Sequence, residues 1–466
     1  MNNTYIFFIF LKIIAEILSF AIIKKWEKIE RRISVNYQEC IHYLEKEVGF
    51  GSVPGLERIE LLCEKLGNPE QRLPIIHIAG TNGKGSAVAM LASILKEAGY
   101  RVGTYTSPHL ERYNERFLIN DVEISDGDFA KEITLMKEIC EELSAEGKPV
   151  PTLFEIVTGA AFHYFSEQKV DILVLEVGLG GKYDATNVVP APLLSLIMSI
   201  SIDHTDFLGD TIEKIAAEKA GIIKKNCPVV LYSQDDIVYN IMKDVADQMD
   251  APFYCLNDAE IDVASQTLEG TVFSVKNKSM SLENLELPLL GSYQIGNCLA
   301  VLEACNVLRK RGLTLSEAAI RQGLKNTHWA GRMEICGRNP LVILDGAHNA
   351  DGIAQLAKSL SIYFKDRKVT LILGVLGDKE YHKMAEYILP YAGSVILTEP
   401  HNERKLDVFS LARSISNHKG TIYTEKEIEN AYEKALSITP ADGIILCCGS
   451  LYMIGAMRTY ISNRSI

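Results

Sequence analysis

"HIAGTNGKGSAVAM", residues 77–90, decides the fold. The apolar run "LPIIHIAG" leads into it, and "KGSAVAMLASILKEAGY" continues from it at helical spacing as far as Gly99. A buried strand, a glycine loop and a helix pointing its first N–H groups at the loop form the frame of an anion cradle. The common phosphate-loop pattern G-x-x-x-x-G-K-[ST] is nevertheless not met. Counting back from Gly83-Lys84, the first glycine position falls on Ile78, and Gly85 stands where Ser or Thr belongs. Taken alone, the loop fits both a phosphate site and a plain strand-to-helix turn with a solvated lysine.

Outward from the loop, strands and helices alternate. "YRVGTYTS", "VDILVLEVGLGG", "LLSLIMSISIDH" and "CPVVLYS" read as strands. Helices are expected in "SDGDFAKEITLMKEICEELSAEG", capped by Ser125, in "TLFEIVTGAAFHYFSEQ", and in "DTIEKIAAEKAGII", with Asp210 and Glu213 as its capping pair. Residues 252–288 are choppier and predict a small antiparallel excursion. "SYQIGNCLAVLEACNVLRKRG" is a long helix ending at Gly312, after which strands "LVILDGA", "VTLILGV", "SVILTEP" and "GIILCCGS" restart the alternation. The fold class is therefore α/β, with two doubly wound, mainly parallel sets. Division is expected near residue 330: an apolar extension over 1–33, a larger part over 34–330 that holds the glycine loop, and a smaller C-terminal part over 331–466.

Composition narrows the partners. The chain has 466 residues, 47% hydrophobic and 23% charged, with a formal net charge of −12. That balance opposes a general nucleic-acid binder, so an anionic ligand would need local lysines, helix ends or a metal. None of the ten cysteines forms C-x-x-C or a zinc-finger spacing, which points to buried free thiols in a reducing cytoplasm. At the N-terminus, "TYIFFIFLKIIAEILSFAII" is apolar, but Lys12 and Glu16 sit at its centre. Their cost as a span, about 5–7 kcal/mol, cancels roughly 4–8 kcal/mol from the large apolar residues. An extension absorbed by the fold or a start placed too early is favoured over a membrane anchor.

Several further segments complete the loop. "YTSPHLERYNERFLIN", "TLFE", "EVGLGGKYDATN", "DHTDFLG", "AAEKAGIIK", "GSYQIGN", "WAGRMEI", "LDGAHN" and "CCGSLYMIG" occur in this order. With "GTNGKGS" the set resembles folylpolyglutamate synthase and dihydrofolate synthase of the Mur ligase superfamily, from about residue 36 to the C-terminus. The resemblance implies an ATP-dependent amide ligase in which a pterin substrate's carboxylate becomes an acyl phosphate that L-glutamate attacks. It implies Gly83, Lys84, Gly85 and Ser86 around the phosphates, and Asn297, Arg332 and Asp345 as further ATP contacts. Ser107, Glu176 and His204 match the ligands of magnesium, of which two ions are expected. Lys219 matches a lysine carbamylated to N6-carboxylysine, and His348 a residue near the nucleotide or glutamate; with Lys84 these are the catalytic candidates.

For the pterin the resemblance points to Thr152, Leu153, Phe154 and Glu155, and to Tyr183, Asp184 and Ala185. Here the wording departs from the family, which often has an aromatic before Phe154 and Arg-Leu where Lys182-Tyr183 stand. The implied substrates are ATP, L-glutamate and dihydropteroate or tetrahydrofolate, for a cytoplasmic monomer that binds neither nucleic acid nor membrane. A bifunctional enzyme that adds first and later glutamates is expected, with polyglutamylation alone as the alternative. A cell-wall Mur ligase would carry a separate N-terminal domain, whereas about 75 residues precede this loop. A non-catalytic nucleotide-binding regulator would bind ATP without glutamate-dependent phosphate release.

Overall fold

Five buried residues, Ile75–Ala79, form the strand that precedes the glycine loop, and the helix Lys84–Glu97 follows it. The computed structural model describes residues 36–48, 54–278 and 280–464; the N-terminal apolar run lies outside them. The described residues fall into two compact units, one up to Glu70 with Ile124–Gln168, the other Gln71–Glu123 with everything from Lys169.

The first unit is helical, built on Tyr37–His42, Glu57–Lys65, Asp126–Ala145 and Leu153–Glu167. Its caps follow the sequence signals. Ser125 accepts from the Asp128 amide, and Thr152 and Glu155 form a reciprocal capping box.

The second unit contains three sheets. Its largest is built from β1 (Ile75–Ala79), β2 (Val102–Tyr105), β3 (Phe117–Ile119), β4 (Val122–Glu123), β5 (Ile172–Glu176), β6 (Leu194–Ile197), β7 (Val229–Leu231) and β8 (Phe253–Cys255), in the order β4-β3-β2-β5-β1-β6-β7-β8. From β2 through β5, β1, β6 and β7 to β8 all neighbours pair in parallel, while β3 pairs antiparallel with both β2 and β4. Strands β1 and β5 are buried throughout, as expected of a sheet covered on both faces. Ile76, Ile78, Val174 and Leu196 pack in one core with Ala87, Leu91 and Leu95 of the helix after β1 and with Val301 and Leu308 of the helix Gln294–Lys310. Each of these Val, Leu and Ile side chains removed from water contributes roughly 1.5–3 kcal/mol.

Strands β9 (Glu260–Thr267), β10 (Gly270–Lys276) and β11 (Ser281–Leu287) form the expected antiparallel excursion. It is shorter than the stretch 252–288, because Phe253–Cys255 pairs in parallel with β7 and closes the large sheet. The third sheet has the order β12-β13-β17-β14-β15-β16, from β12 (Glu334–Arg338), β13 (Leu341–Leu344), β14 (Val369–Leu373), β15 (Ala392–Leu397), β16 (Thr421–Thr424) and β17 (Ile444–Cys448). It is parallel except for β12, which pairs antiparallel with β13. The two edge strands were not anticipated, since neither carries a continuous apolar run.

One cap differs from expectation. Thr211, not Asp210, is the extended residue that caps Ile212–Ala220, accepting from the Lys214 amide. Asp210 lies one residue too early and instead pairs with Lys214 four residues on, at 2.8 Å. The ten cysteines are free, and all but Cys255 and Cys336 are buried.

Candidate active site

The carboxyl ends of β2, β5, β1 and β6 are adjacent, and a doubly wound sheet binds ligands at that edge. After β1 the chain turns through Gly83, whose φ of +86° favours glycine, into the helix that begins at Lys84. The first i→i−4 bond of this helix runs from the Ala87 amide to the Gly83 carbonyl, 3.0 Å. The amides of Gly83 to Ser86 therefore precede the ladder and are the orphan donors of a helix N-terminus. Thr81 and Asn82 instead donate their amides to the Ser199 carbonyl after β6, at 2.7 and 3.3 Å, which pins the loop to the neighbouring strand.

Around this loop the structure gathers most of the expected residues. Lys84 Nζ lies 3.1 Å from the Gly80 carbonyl and 4.0 Å from Glu176 Oε1. Glu176, the last residue of β5, is buried, and desolvation raises its carboxyl to about 7 against the pull of Lys84 and the Ser107 amide. That amide approaches Glu176 Oε2 at 3.4 Å, while Ser107 Oγ is buried without a hydrogen-bond partner. An orphaned hydroxyl beside an undersatisfied carboxylate is an oxygen donor pair suited to magnesium. Among the described residues no group of three or more His, Cys, Asp or Glu is placed to hold a metal ion, so an ion here would depend on hydroxyl and other oxygens as well.

Lys219 is buried in the helix Ile212–Ala220, with Nζ donating to the Gly80 carbonyl at 2.9 Å. Desolvation, with Lys84 adding repulsion, lowers its ammonium to about 7. The amine is thus substantially neutral near physiological pH, and a neutral amine is the form that reacts with CO₂.

His204 occupies the left-handed region at φ +51°. Its Nε2 lies 3.8 Å from Asp203, and burial lowers its imidazolium to about 4. His348 hydrogen-bonds through Nδ1 with the Gly346 carbonyl at 2.8 Å and turns Nε2 towards Asp203 at 3.9 Å; burial lowers it to about 4 as well. Both rings are neutral at pH 7. Desolvation works against Asp203, yet its carboxyl stays below the usual range under the pull of His204, of Lys379, whose Nζ sits 2.6 Å away, and of His348, and Asn349 Nδ2 adds a bond at 2.9 Å. Asn82 donates in turn to Asp351 at 2.8 Å. Asp203, Lys379, Asn82 and Asn349 were missed in the sequence. Asp203 adjoins a chosen histidine, but Lys379 in "LGDKE" carries no local signal.

Of the remaining candidates, Asn297 places Oδ1 where a Cβ on Gly83 would stand, at 2.5 Å, and Gln294 Nε2 reaches Ser86 Oγ at 3.2 Å. Asp345 is buried, accepting from the amides of Met333 and Ala347 at 2.9 and 2.8 Å, the geometry of a strand-end cap. The Arg332 charge acts on both Asp345 and Glu176, lowering both against desolvation.

Two groups of pterin candidates behave differently. Tyr183 is 49% exposed, with Lys182 Nζ 5.0 Å from its ring centroid. Asp184 is buried, and its oxygens accept from the Leu179 amide at 2.7 Å and from the Thr186 amide and hydroxyl at 3.0 and 2.5 Å. Ala185 opens the short turn Ala185–Val188. In the other unit, Glu155 is committed to the Thr152 amide and hydroxyl at 2.7 and 2.8 Å and to Arg58 at 2.9 Å. Asp184 and Glu155 thus shape their segments, while Tyr183 offers an open face; Leu153 and Phe154 begin the helix behind Thr152.

The Mur ligase middle domain matches residues 78–305, and the Mur ligase glutamate ligase domain matches residues 331–451. A Bacillus subtilis protein named dihydrofolate synthase/folylpolyglutamate synthase is 37% identical over 91% of this chain and 98% of its own length. The chain belongs to the folylpolyglutamate synthase/dihydrofolate synthase family. With the family goes the reaction class, that of a Mur-type ligase. Thermotoga maritima folylpolyglutamate synthase superposes with a TM-score of 0.80 at 38% identity, covering 92% of this chain and 97% of that one. Escherichia coli FolC in complex with DHPP and ADP superposes at 0.83 with 30% identity, over 93% and 99%. The opening loop lies within the matched middle domain. No described helix is long and apolar enough to cross a membrane.

Proposed function

We propose that this protein uses ATP to join L-glutamate to dihydropteroate and to reduced folates, passing through an acyl phosphate. The observation that carries the reading is the meeting of Lys84, Glu176, Ser107 and Lys219 at the mouth of one glycine loop, at the carboxyl edge of the sheet. A carboxylate is a poor electrophile at neutral pH. Transfer of the terminal phosphoryl group of ATP to one of its oxygens releases ADP and provides a leaving group; the glutamate nitrogen then attacks the acyl carbon and phosphate departs. In that sequence the amides of Gly83 to Ser86 and the ammonium of Lys84 take up the charge that accumulates on the phosphates.

Ser107, Glu176 and His204 would hold magnesium, and two ions fit the paired requirement of nucleotide and acceptor. Bound there, magnesium would neutralise phosphate charge. Carbamylation of Lys219 would exchange a buried cation for an anion beside that cluster. Asn297, Arg332 and Asp345 would face the nucleotide, and His348 the nucleotide or glutamate. Thr152–Glu155 and Tyr183–Ala185 would serve the pterin side. We further assign the ATP- and pterin-binding part to residues 34–330 and the glutamate-ligase part to 331–466, in a cytoplasmic monomer.

A second reading, polyglutamylation alone, is kept because a Lacticaseibacillus casei relative, 33% identical over 92% of this chain, is named folylpolyglutamate synthase only. Pure protein given magnesium, ATP, glutamate and either dihydropteroate or tetrahydrofolate separates the two. Product from both acceptors is expected; product from tetrahydrofolate alone favours the second reading, and phosphate release from neither ends both.

A further inference from the structure

The residue that breaks the common phosphate-loop pattern, Gly85, lies under an indole. A Cβ built on Gly85 would stand 2.6 Å from Trp329 Cζ2 and 2.8 Å from both Cε2 and Nε1. Three ring atoms inside van der Waals distance leave no room for any side chain at 85 unless the ring moves. Serine or threonine, which the common pattern requires there, is sterically excluded, and the hydroxyl appears one residue later at Ser86, where it meets Gln294.

Trp329 is partly buried against the core, and the segment that carries it is anchored on the loop's own helix. Its segment leaves the helix Glu317–Lys325, where a Cβ on Gly323 would come within 2.4 Å of Ile94 Cα and the Gly323 carbonyl accepts from Ser93 and Thr327, both at 2.7 Å. Ile94 and Gly85 belong to the same helix, Lys84–Glu97, so residues 323–329 run back along it from a clamp near its C-terminal end to the indole at its first turn. Three residues beyond Trp329 is Arg332, whose charge acts on Glu176.

We propose that Trp329 is a positioning residue for the phosphate loop, its indole taking the place of a side chain at 85 so that the amides of Lys84, Gly85 and Ser86 are held in one arrangement and kept in register with Arg332. The pair Gly85–Trp329 then acts as a unit, in which a larger residue at 85 demands a smaller one at 329. This rests on the loop being the ATP phosphate site.

The experiment is a double-mutant cycle on the full chain, with kcat and KM measured separately for ATP and glutamate. Gly85→Ala, by displacing the indole, is expected to lower kcat/KM for ATP on the order of 10²-fold, with KM for glutamate nearly unchanged. Trp329→Leu, which leaves the loop uncovered, is expected to lower it about tenfold, and Trp329→Phe, which keeps a ring there, less than either. Gly85→Ala/Trp329→Leu should recover most of the loss of Gly85→Ala, because the Cβ then has room. Simply additive losses, or Trp329→Leu with wild-type ATP kinetics, would overturn the proposal. Should Gly85→Ala fail to fold, the comparison of Trp329→Leu with Trp329→Phe still decides. Lys84→Ala separates the underlying reading: if it leaves ATP kinetics untouched, the loop is not the phosphate site; if it abolishes turnover while the cycle is additive, only the role of Trp329 falls.

Discussion

Asp203 and Lys379 form a buried ion pair, Oδ1 to Nζ 2.6 Å, joining the segment after β6 of the large sheet to the segment after β14 of the third; each side chain is 7% exposed. With His204 and His348 neutral at pH 7, Lys379 is the cation that offsets the desolvation of Asp203. Removing one partner leaves a buried charge unpaired, so Lys379→Met should lower stability by about 3–5 kcal/mol, and Asp203→Asn/Lys379→Met should recover a large part of it. Because the Asp203 carboxyl is depressed in the fold, the stabilisation exists above the ordinary carboxylate range and fades as pH falls below it. Denaturant melts at pH 7 and at about pH 3, below the ordinary carboxylate range, check both points: the gap between wild type and Lys379→Met should narrow at the lower pH.

Lys219 has the opposite sign. Burial lowers its ammonium to about 7, so the folded protein bears the full cost of a buried cation below that pH. The cost is relieved as pH rises from about 7 towards the ordinary lysine range, where the unfolded chain also deprotonates. Lys219→Met should therefore be more stable than wild type at pH 6, by a margin that shrinks at pH 9, and nearly inactive at both. Intact-peptide mass spectrometry under bicarbonate should find 44 Da added at Lys219, about the mass of CO₂; a bare amine in a fully active enzyme contradicts the carbamate.

Strand positions were legible in the sequence where residues are buried on both faces, because such strands read as unbroken apolar runs. Ile75–Ala79 and Ile172–Glu176 are of this kind. β16 escaped because Thr421–Thr424 is a half-exposed edge strand whose "TIYT" lacks such a run. Caps depend on single backbone angles, and this is why Asp210 could be mistaken for Thr211. In the site, Lys84 stood out through the strand–glycine loop–helix pattern, whereas Ser107 and Glu176 were singled out by the resemblance of "TSPH" and "LEVG"; in the fold each of the two follows or ends a strand. Lys379 and Trp329 act only through residues far away in sequence, Asp203 and Gly85, and no local pattern encodes such a contact.

Thr186 tests a relay that reaches into the sheet. His77, buried in β1, has Nε2 2.8 Å from Thr186 Oγ1, which donates to Asp184 Oδ1 at 2.5 Å. A hydroxyl that donates to a carboxylate must accept from the imidazole, so His77 carries its proton on Nε2. Thr186→Val keeps the shape but removes donor and acceptor together, and should cost about 1–3 kcal/mol. Thr186→Ser should retain most of the stability, and the KM for the pterin substrate should rise in the valine variant if the 178–187 turn shapes that pocket. Thermal melts and KM values for both acceptors provide the check.

Lys84 has two roles that one variant can separate. Its ammonium faces the phosphate cradle, and it also lowers the Glu176 carboxyl, which burial has raised to about 7. Lys84→Ala should reduce kcat/KM for ATP by on the order of 10²–10³, the usual loss for a group that meets transition-state charge, with the melting temperature little changed. It should also leave Glu176 without its nearest cation, so that carboxyl ionises at a higher pH than in the wild type. If ionised Glu176 holds magnesium, the acid limb of the pH–rate profile at subsaturating magnesium should move to higher pH in the variant, and added magnesium should draw it back. A uniform loss at every pH would confine Lys84 to the phosphates and separate Glu176 from the metal.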